Sequence, residues 1–321
     1  MKNKGIAVAG NILVDIINTV SKYPNEGELT QISSVSRAVG GCVPNVAIDL
    51  KRLSPSLDVF ASGKVSNDAN GEYAIGVLKD NGVNTENIVI SDNDKTSFTQ
   101  VMSINGGQRT FFTYPGSSAE FGIEDIDFNK HCPKMLHLGY FLLLKKVDDG
   151  DGIKILKKAV EKGIKTSIDL VSENSDRYKK ILHCLPFTDY LIINELEGGR
   201  LTEIEPTKDN ISVIAKRLIQ LGVREKVVIH YSDGSVCADK SGNVTTLDSF
   251  SLPNGYIKGT TGAGDAFCAG VLLGIYNDLS DKEILDYGRT AAVMALREAD
   301  ATSGLVTMKE AKEIVKGFER K

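Results

Sequence analysis

Residues 259–267 read GTTGAGDAF and run straight into the apolar stretch CAGVLLGIY (268–276). If that stretch is helical, Gly262, Ala263 and Gly264 form its opening turn, whose first N–H groups have no acceptor inside the helix. The macrodipole adds partial positive charge there, and glycines let a ligand approach the backbone closely. Such a turn suits an anion, above all a phosphate. Asp265 lies in the same turn. A carboxylate there is badly placed to bind the anion and well placed to take a proton from a hydroxyl that attacks it. A purely structural reading also fits: Thr260 or Thr261 caps the helix and Asp265 favours its dipole. The spacing matches neither the dinucleotide fingerprint G-x-G-x-x-G nor the phosphate loop, which needs Gly-Lys followed by Ser or Thr.

Upstream of this turn, short apolar runs alternate with longer amphipathic stretches. GIAVAG (5–10), DVFAS (58–62), ENIVI (86–90), KMLHL (134–138), KTSIDL (165–170), DYLIIN (189–194) and KVVIH (226–230) read as strands. NVAIDLKRLS, EYAIGVLKDNG, DGIKILKKAVEKG and DNISVIAKRLIQLG read as the helices between them. That order predicts an α/β fold, a doubly wound and mostly parallel sheet with helices on both faces. After Gly262 the pattern is helical almost to the end. Two segments break the alternation, residues 28–38 (ELTQISSVSRA) and 96–113 (TSFTQVMSINGGQRTFFT). Both read as antiparallel strands, the second with a hairpin turn at Asn-Gly-Gly, residues 105–107. We expect a single unit over residues 1–321, with a small antiparallel β lid built from about 27–39 and 96–114. An exposed lid face and edge make a homodimer through the lid an expectation too.

Composition narrows the class of function. The 321 residues are 41% hydrophobic and 25% charged, and 38 basic against 42 acidic residues leave a net charge of −4. No basic run tracks a phosphate backbone, so nucleic acid is excluded as a partner. Five scattered cysteines without a C-x-x-C pair read as free thiols in a reducing compartment. No apolar run reaches the length of a membrane span, and Asn11 and Asp15 interrupt the first one, which reads as a buried strand. A cytoplasmic protein is expected. The histidines show no metal-ligand spacing, so no structural zinc is expected. DDGDG (148–152) lacks the glutamate a calcium loop needs twelve residues from its start.

Three further clusters carry candidate chemistry. GGCVPNVAIDL (40–50) again opens a helix, with Gly40 and Gly41 allowing backbone approach and Asn45 offering an amide; an ordinary turn is the alternative. Asp15, read as a loop residue after the first strand, is a candidate for sugar hydroxyls, since ligands of open parallel sheets sit beyond the strands' carboxyl ends. In LIINELEGG, Asn194 and Glu197 share one face of a starting helix. They either cap it or hold hydrated Mg²⁺ beside a nucleotide phosphate. Arg109, in the lid hairpin, is either a substrate contact or a solvated strand residue.

Taken together, these stretches resemble the PfkB family of carbohydrate kinases, with its ribokinase-like fold. The resemblance covers essentially the whole chain. It rests on T-x-G-A-G-D at 260–265, G-G-x-x-x-N at 40–45 and N-x-x-E at 194–197, in the family's order. It implies ATP-dependent phosphorylation of a hydroxymethyl-type hydroxyl of a small sugar, with Asp265 as base. The amides of Gly262, Ala263, Gly264 and Asp265 would form the anion hole. Asp15, Gly40, Gly41, Asn45 and Arg109 would hold the sugar. Asn194, Glu197, Ser232, Gly234 and Thr261 would serve the nucleotide, with Asn194 and Glu197 holding Mg²⁺ through water.

The chain departs from the pattern at several points. Gly259 replaces the family's first aspartate, which argues against activation by K⁺. IHYSDG (229–234) replaces T-L-G-x-x-G, although Gly234 remains, and Ser66 stands where a glycine is usual. Gly139 or Tyr140 occupies the place of a ribose-binding glutamate. A phosphosugar would call for basic residues, and only Arg109 and Lys64 offer themselves. A nucleoside kinase and a catalytically silent sugar or nucleotide sensor are the alternative readings.

Overall fold

The computed structural model describes residues 4–104, 109–173 and 175–321. The hairpin turn expected at 105–107 lies outside the described residues. The first strands are β1 (Ile6–Ala9), β2 (Leu13–Val20), β3 (Ile32–Gly40), β4 (Val59–Ser66) and β5 (Asn84–Ser91). There follow β6 (Ser97–Ile104), β7 (Arg109–Tyr114), β8 (Met135–Phe141), β9 (Lys165–Leu170) and β10 (Tyr190–Asn194). The last are β11 (Lys226–Tyr231), β12 (Gly234–Asp239) and β13 (Val244–Asp248). The helices are α1 (Cys42–Leu53), α2 (Ala69–Asp80), α3 (Gly152–Glu161), α4 (Tyr178–Ile181), α5 (Glu195–Thr202), α6 (Ile211–Gln220), α7 (Ala263–Tyr276), α8 (Asp281–Ala295) and α9 (Met308–Val315).

Nine of the described strands form the main sheet, in the order β13-β12-β11-β10-β9-β8-β1-β4-β5. From β11 through to β5 every pair is parallel. Only β12 and β13 run antiparallel, as a meander on one edge. Parallel strands buried on both faces read as continuous apolar runs, and the strands obey that rule residue by residue. In β1, Ile6 and Val8 face one core while Ala7 and Ala9 face the other. In β10, Ile192 joins the first core, and Leu191 and Ile193 the second. Helices α1, α2, α7, α8 and α9 cover the first face, and α3, α4, α5 and α6 the second. Strand order reverses around β1, which lies between β8 and β4 although it precedes both in the chain. Ligands of such sheets bind at that reversal, outside the strands' carboxyl ends.

The second sheet has the order β3-β2-β6-β7. It contains the two expected lid segments, although residues 27–31 stay outside any strand. Its outer pairs are antiparallel, while β2 and β6 at its centre run parallel. Asp15, expected in a loop, lies instead in β2, paired with Ala38 and Thr99. LVDIINTV alternates only loosely and follows β1 after three residues, which hid it as a strand of a different sheet.

Helix α7 is apolar all round, and every residue from Asp265 to Ile275 is buried. A helix of that kind belongs inside the molecule. Its glycines admit the neighbours: a Cβ on Gly270 would fall 2.4 Å from the Tyr287 carbonyl oxygen of α8. Backbone cannot retreat as a side chain does. Gly270→Val is therefore expected to destabilise the protein by about 1–3 kcal/mol or more, read as a lowered urea-unfolding midpoint at unchanged slope.

Candidate active site

To one side of the strand-order reversal, the carboxyl ends of β8, β9 and β10 and the first turn of α7 enclose a cavity of about 280 Å³. Asp265, Asp169, Glu197, Asn194, Tyr140 and Gly264 are among its walls. Three carboxyl groups thus share one cavity, and among the described residues no lysine or arginine lines it.

Asp265 is 6% exposed. Two donors converge on its Oδ2: Asn45 Nδ2 from α1 at 2.9 Å and Tyr140 Oη from β8 at 2.9 Å. Among the described residues nothing donates to its Oδ1. Burial, reinforced by the negative charge of Asp169, pushes the Asp265 carboxyl up to about 7, against the pull of the two hydrogen bonds. The carboxyl therefore changes charge close to neutral pH, where a general base is most effective.

The turn below it differs in detail from the expected four-amide hole. Gly262 is the residue before α7 and has φ 76°, the left-handed conformation that favours glycine. A Cβ there would lie 2.6 Å from Ala301, so Gly262 packs against the chain beyond α8. Ala263 N donates to Thr260 O at 3.3 Å and is already engaged. Gly264 faces open space, its nearest neighbour for a Cβ being His230 at 4.0 Å. The N–H groups of Gly264 and Asp265, in the first turn, lack an i−4 acceptor within the helix. Thr261 is exposed and lies outside the cavity walls.

Asn194 and Glu197 form the reciprocal cap that the sequence allowed. Asn194 Oδ1 accepts from Glu197 N at 2.9 Å, and Glu197 Oε2 accepts from Asn194 N at 3.0 Å. Glu197 Oε1 also accepts from Ser172 Oγ at 2.8 Å. Burial lifts Glu197 to about 7, and the negative charge of Asp169 adds to the rise. Capping does not remove these side chains from the cavity, since both line it. An all-acidic wall that repels itself fits a hydrated divalent cation.

Of the residues expected to hold the sugar, none is among those lining the cavity, and Asn45 reaches it only through its bond to Asp265. Gly40 and Gly41 lead into α1, and a Cβ on Gly40 would lie 2.8 Å from Asp15 Oδ2. Burial raises the Asp15 carboxyl, while a hydrogen bond from Thr99 and the charge of Arg109 oppose the rise. Asp15, Gly40 and Arg109 thus belong to one cluster on the small sheet. Asn45 Oδ1 is buried with no hydrogen-bond partner. Lys64 is paired with Asp125 at 3.0 Å, which removes it as a phosphate contact.

The roles of several site residues escape a reading of the sequence. Tyr140 holds Asp265 through its hydroxyl, and its own N donates to Asp169 Oδ1 at 2.5 Å. Its φ of 59° is unusual for a non-glycine residue, and nothing local in the sequence announces it. Asp169 ends its strand region as a carboxylate at the carboxyl end of a parallel strand, a position that could have marked it. Asn11, the polar break in the first apolar run, accepts from Cys42 N at 2.9 Å and so caps α1 from a distance. Beneath the cavity, His137 lies 3.1 Å from Ser167 Oγ, 3.5 Å from Asp169 Oδ2 and 3.7 Å from Cys268 Sγ, a polar cluster that no short spacing reveals.

A second cavity of about 240 Å³ adjoins the first, and Gly264 and His230 line both. Ser232 lies in its wall, whereas Gly234 does not; Gly234 packs in β12, where a Cβ would meet Tyr231 Oη at 2.6 Å. Burial, with Arg289 nearby, pushes His230 down to about 3, so its imidazole is neutral.

Fold and site together define a ribokinase-like kinase. The pfkB family carbohydrate kinase model matches residues 3–308, and the chain belongs to that family. It is 30% identical over 284 residues to the protein named probable fructokinase-6, chloroplastic, of Arabidopsis thaliana, covering 84% of this chain and 70% of that one. It is 25% identical to the ribokinase of Lactococcus lactis, covering 98% of each. The structure of Arabidopsis thaliana ribokinase complexed with ribose and ATP superposes with a TM-score of 0.83 at 22% identity, over 98% of this chain and 99% of that one. The Methanocaldococcus jannaschii nucleoside kinase superposes at 0.78 and 20% identity, over 98% and 99%.

The raised carboxyl of Asp265 has a cost that depends on pH. Its folded value near 7 exceeds the ordinary 3.8, so the folded state favours the protonated form. Its contribution is fully favourable below about pH 4 and is lost as pH rises towards 7. Asp265→Asn is therefore expected to stabilise the ligand-free protein at pH 8 by a few kcal/mol at most, on the order of 1.4 kcal/mol for each tenfold rise in proton affinity. The difference from the wild type should shrink to nothing near pH 4, as urea titrations at each pH would show.

Proposed function

We propose that the protein transfers the γ-phosphoryl group of ATP to a hydroxymethyl-type hydroxyl of a small sugar. One observation carries this reading. Asp265 has one oxygen fixed by two donors and the other without a partner, in the first turn of a helix whose Gly264 stands open to the cavity.

The unpartnered Oδ1 takes the proton of the acceptor hydroxyl as that hydroxyl attacks in line, while Asn45 and Tyr140 keep the carboxylate in place. The amides of Gly264 and Asp265 face the charge that develops on the phosphoryl oxygens, with Gly262 and Ala263 shaping the turn. Asn45 Oδ1 accepts a sugar hydroxyl, which satisfies its buried oxygen. Asp15, with Gly40, Gly41 and Arg109, holds the sugar's other hydroxyls. Glu197 and Asn194 would hold Mg²⁺ through water, and the ion would supply the positive charge that this acidic cavity lacks and the phosphates need. Ser232 serves the nucleotide. Thr261 and Gly234 keep the loops in shape. The chain 1–321 acts as one unit under its lid, and five free thiols fit a reducing compartment such as the cytoplasm.

The test is release of nucleoside diphosphate across pentoses, hexoses, phosphosugars and nucleosides. Turnover with a free sugar is expected, and Asp265→Asn should lower kcat by about 10²–10⁴-fold. kcat/KM should fall about tenfold per pH unit below roughly pH 7, where Asp265 becomes protonated. A nucleoside as the best acceptor overturns the sugar assignment, and equal turnover by the variant removes Asp265 as the base.

We also propose that two lids pair. The outer strands β3 and β7 leave free edges, and Val35 and Phe111 are more than 60% exposed on them. Sedimentation at micromolar concentration should give twice the monomer mass, reduced to the monomer by Val35→Glu; a wild-type monomer overturns the pairing.

A further inference from the structure

Behind the first turn of α7 lies a group of side chains to which the kinase reading gives no chemical step. Cys42 of α1, His137 of β8, Asp169 of β9 and Cys268 of α7 come together there, and none is more than 7% exposed. The ligand atoms of Cys42, His137 and Asp169 all lie within 4.8 Å of one another. His137 Nε2 is 3.5 Å from Asp169 Oδ2 and 3.7 Å from Cys268 Sγ. Zinc bonds of about 2.0–2.3 Å, set at tetrahedral angles, separate ligand atoms by about 3.3–3.8 Å. Both measured separations fall within that range.

The surroundings of these donors suit a metal ion too. Ser167 Oγ lies 3.1 Å from His137 Nδ1 and engages that nitrogen, so Nε2 is the one that meets the group. A ligating histidine is commonly fixed in this way through its second nitrogen. Tyr140 N holds Asp169 Oδ1 at 2.5 Å, while Oδ2 is the oxygen near His137. Gly139 leaves room for the donors: a Cβ there would fall 1.9 Å from Cys42 Sγ and 3.0 Å from Asp169 Oδ1. Asp169 and Cys268 also line the first cavity, which gives an ion a way in. Two thiols and an imidazole favour a soft or borderline cation over Mg²⁺, which takes oxygen ligands. The four residues come from four separate elements, so no short spacing in the sequence marks them.

We infer that Cys42, His137, Asp169 and Cys268 form a tetrahedral zinc site, distinct from the Mg²⁺ proposed at Asn194 and Glu197. Zinc enters as the divalent ion and expels one proton from each thiol to solvent. Asp169 binds as the carboxylate and His137 as the neutral ring. Burial and the charge of Asp169 keep both thiols protonated without the cation. A bound cation deprotonates a coordinating thiol outright. The ion ties together α1, β8 and α7, the three elements that supply Asn45, Tyr140 and Asp265.

Zinc binding to the full chain, stripped of metal by a chelator and kept reduced, tests the site in competition with a chromophoric chelator. One tightly held equivalent is expected, and a large excess of Mg²⁺ should not displace it. Co²⁺ in place of zinc should give thiolate-to-metal charge-transfer absorption and the strong visible bands of a tetrahedral complex. Cys42→Ala and Cys268→Ala should each weaken zinc binding at least tenfold, and Ser167→Ala about tenfold. Cys132→Ser, which removes the exposed thiol, should leave the affinity unchanged. Zinc should raise the melting temperature of the wild type and not that of either alanine variant. A cobalt complex without thiolate absorption overturns the site, whether or not the variants fold. So does zinc affinity that is unchanged in both alanine variants, or lost with Cys132→Ser, or displaced by Mg²⁺.

Discussion

The buried carboxyl of Asp265 is the constraint on which the rest of the structure depends. It stands at the mouth of the most apolar described helix, where the helix N-terminus, one amide and one phenol offset its loss of water. Asn45 reaches it from α1 and Tyr140 from β8, so both elements must lie correctly before the group is tolerated. Glycines set how closely α7 and α8 approach: on Gly288 a Cβ would lie 2.8 Å from Phe267, and on Gly274 3.1 Å from Ile284. The apolar packing of the first core therefore holds in place a polar arrangement that costs stability by itself.

The electrostatics of the cavity follow from the same crowding. Asp169 raises the affinity of Asp265 and Glu197 for protons, and it acts likewise on the Cys42 and Cys268 thiols. Among the described residues no lysine or arginine lines this wall. On the proposed reading, charge balance arrives with the ligands: a divalent ion with the phosphates, and a hydroxyl that gives up its proton. The second cavity differs: Arg289 lines it together with Glu195, His230, Ser232 and an apolar set that includes Leu252, Phe267 and Leu296.

Much of this architecture could be read from the chain because its signals are local. The parallel strands are short apolar runs between amphipathic helices, and α7 is an unbroken apolar run behind a glycine turn. Asp265, Gly264 and Asn45 sit in such local patterns. What escaped was long-range or conformational. Strand β2 follows β1 within three residues yet joins another sheet, and GSVCAD and VTTLD are too short and mixed to stand out as β12 and β13. Tyr140 matters because of a backbone angle, Asp169 and His137 because neighbouring strands bring them together. Ala263 was expected to offer a free amide, and the turn at Thr260 had already taken it.

The bond between Asn45 and Asp265 joins residues 220 apart, and α1, packed against α7, depends on a helix made late. At synthesis rates of about 5–20 residues per second, the ribosome needs roughly 10–45 s to travel from one partner to the other. Through that interval Val46 and Leu50 of α1, fully buried in the finished protein, lack the surface that covers them. The nascent chain is thus an adhesive intermediate for tens of seconds, and the site can exist only once most of the polypeptide has been made.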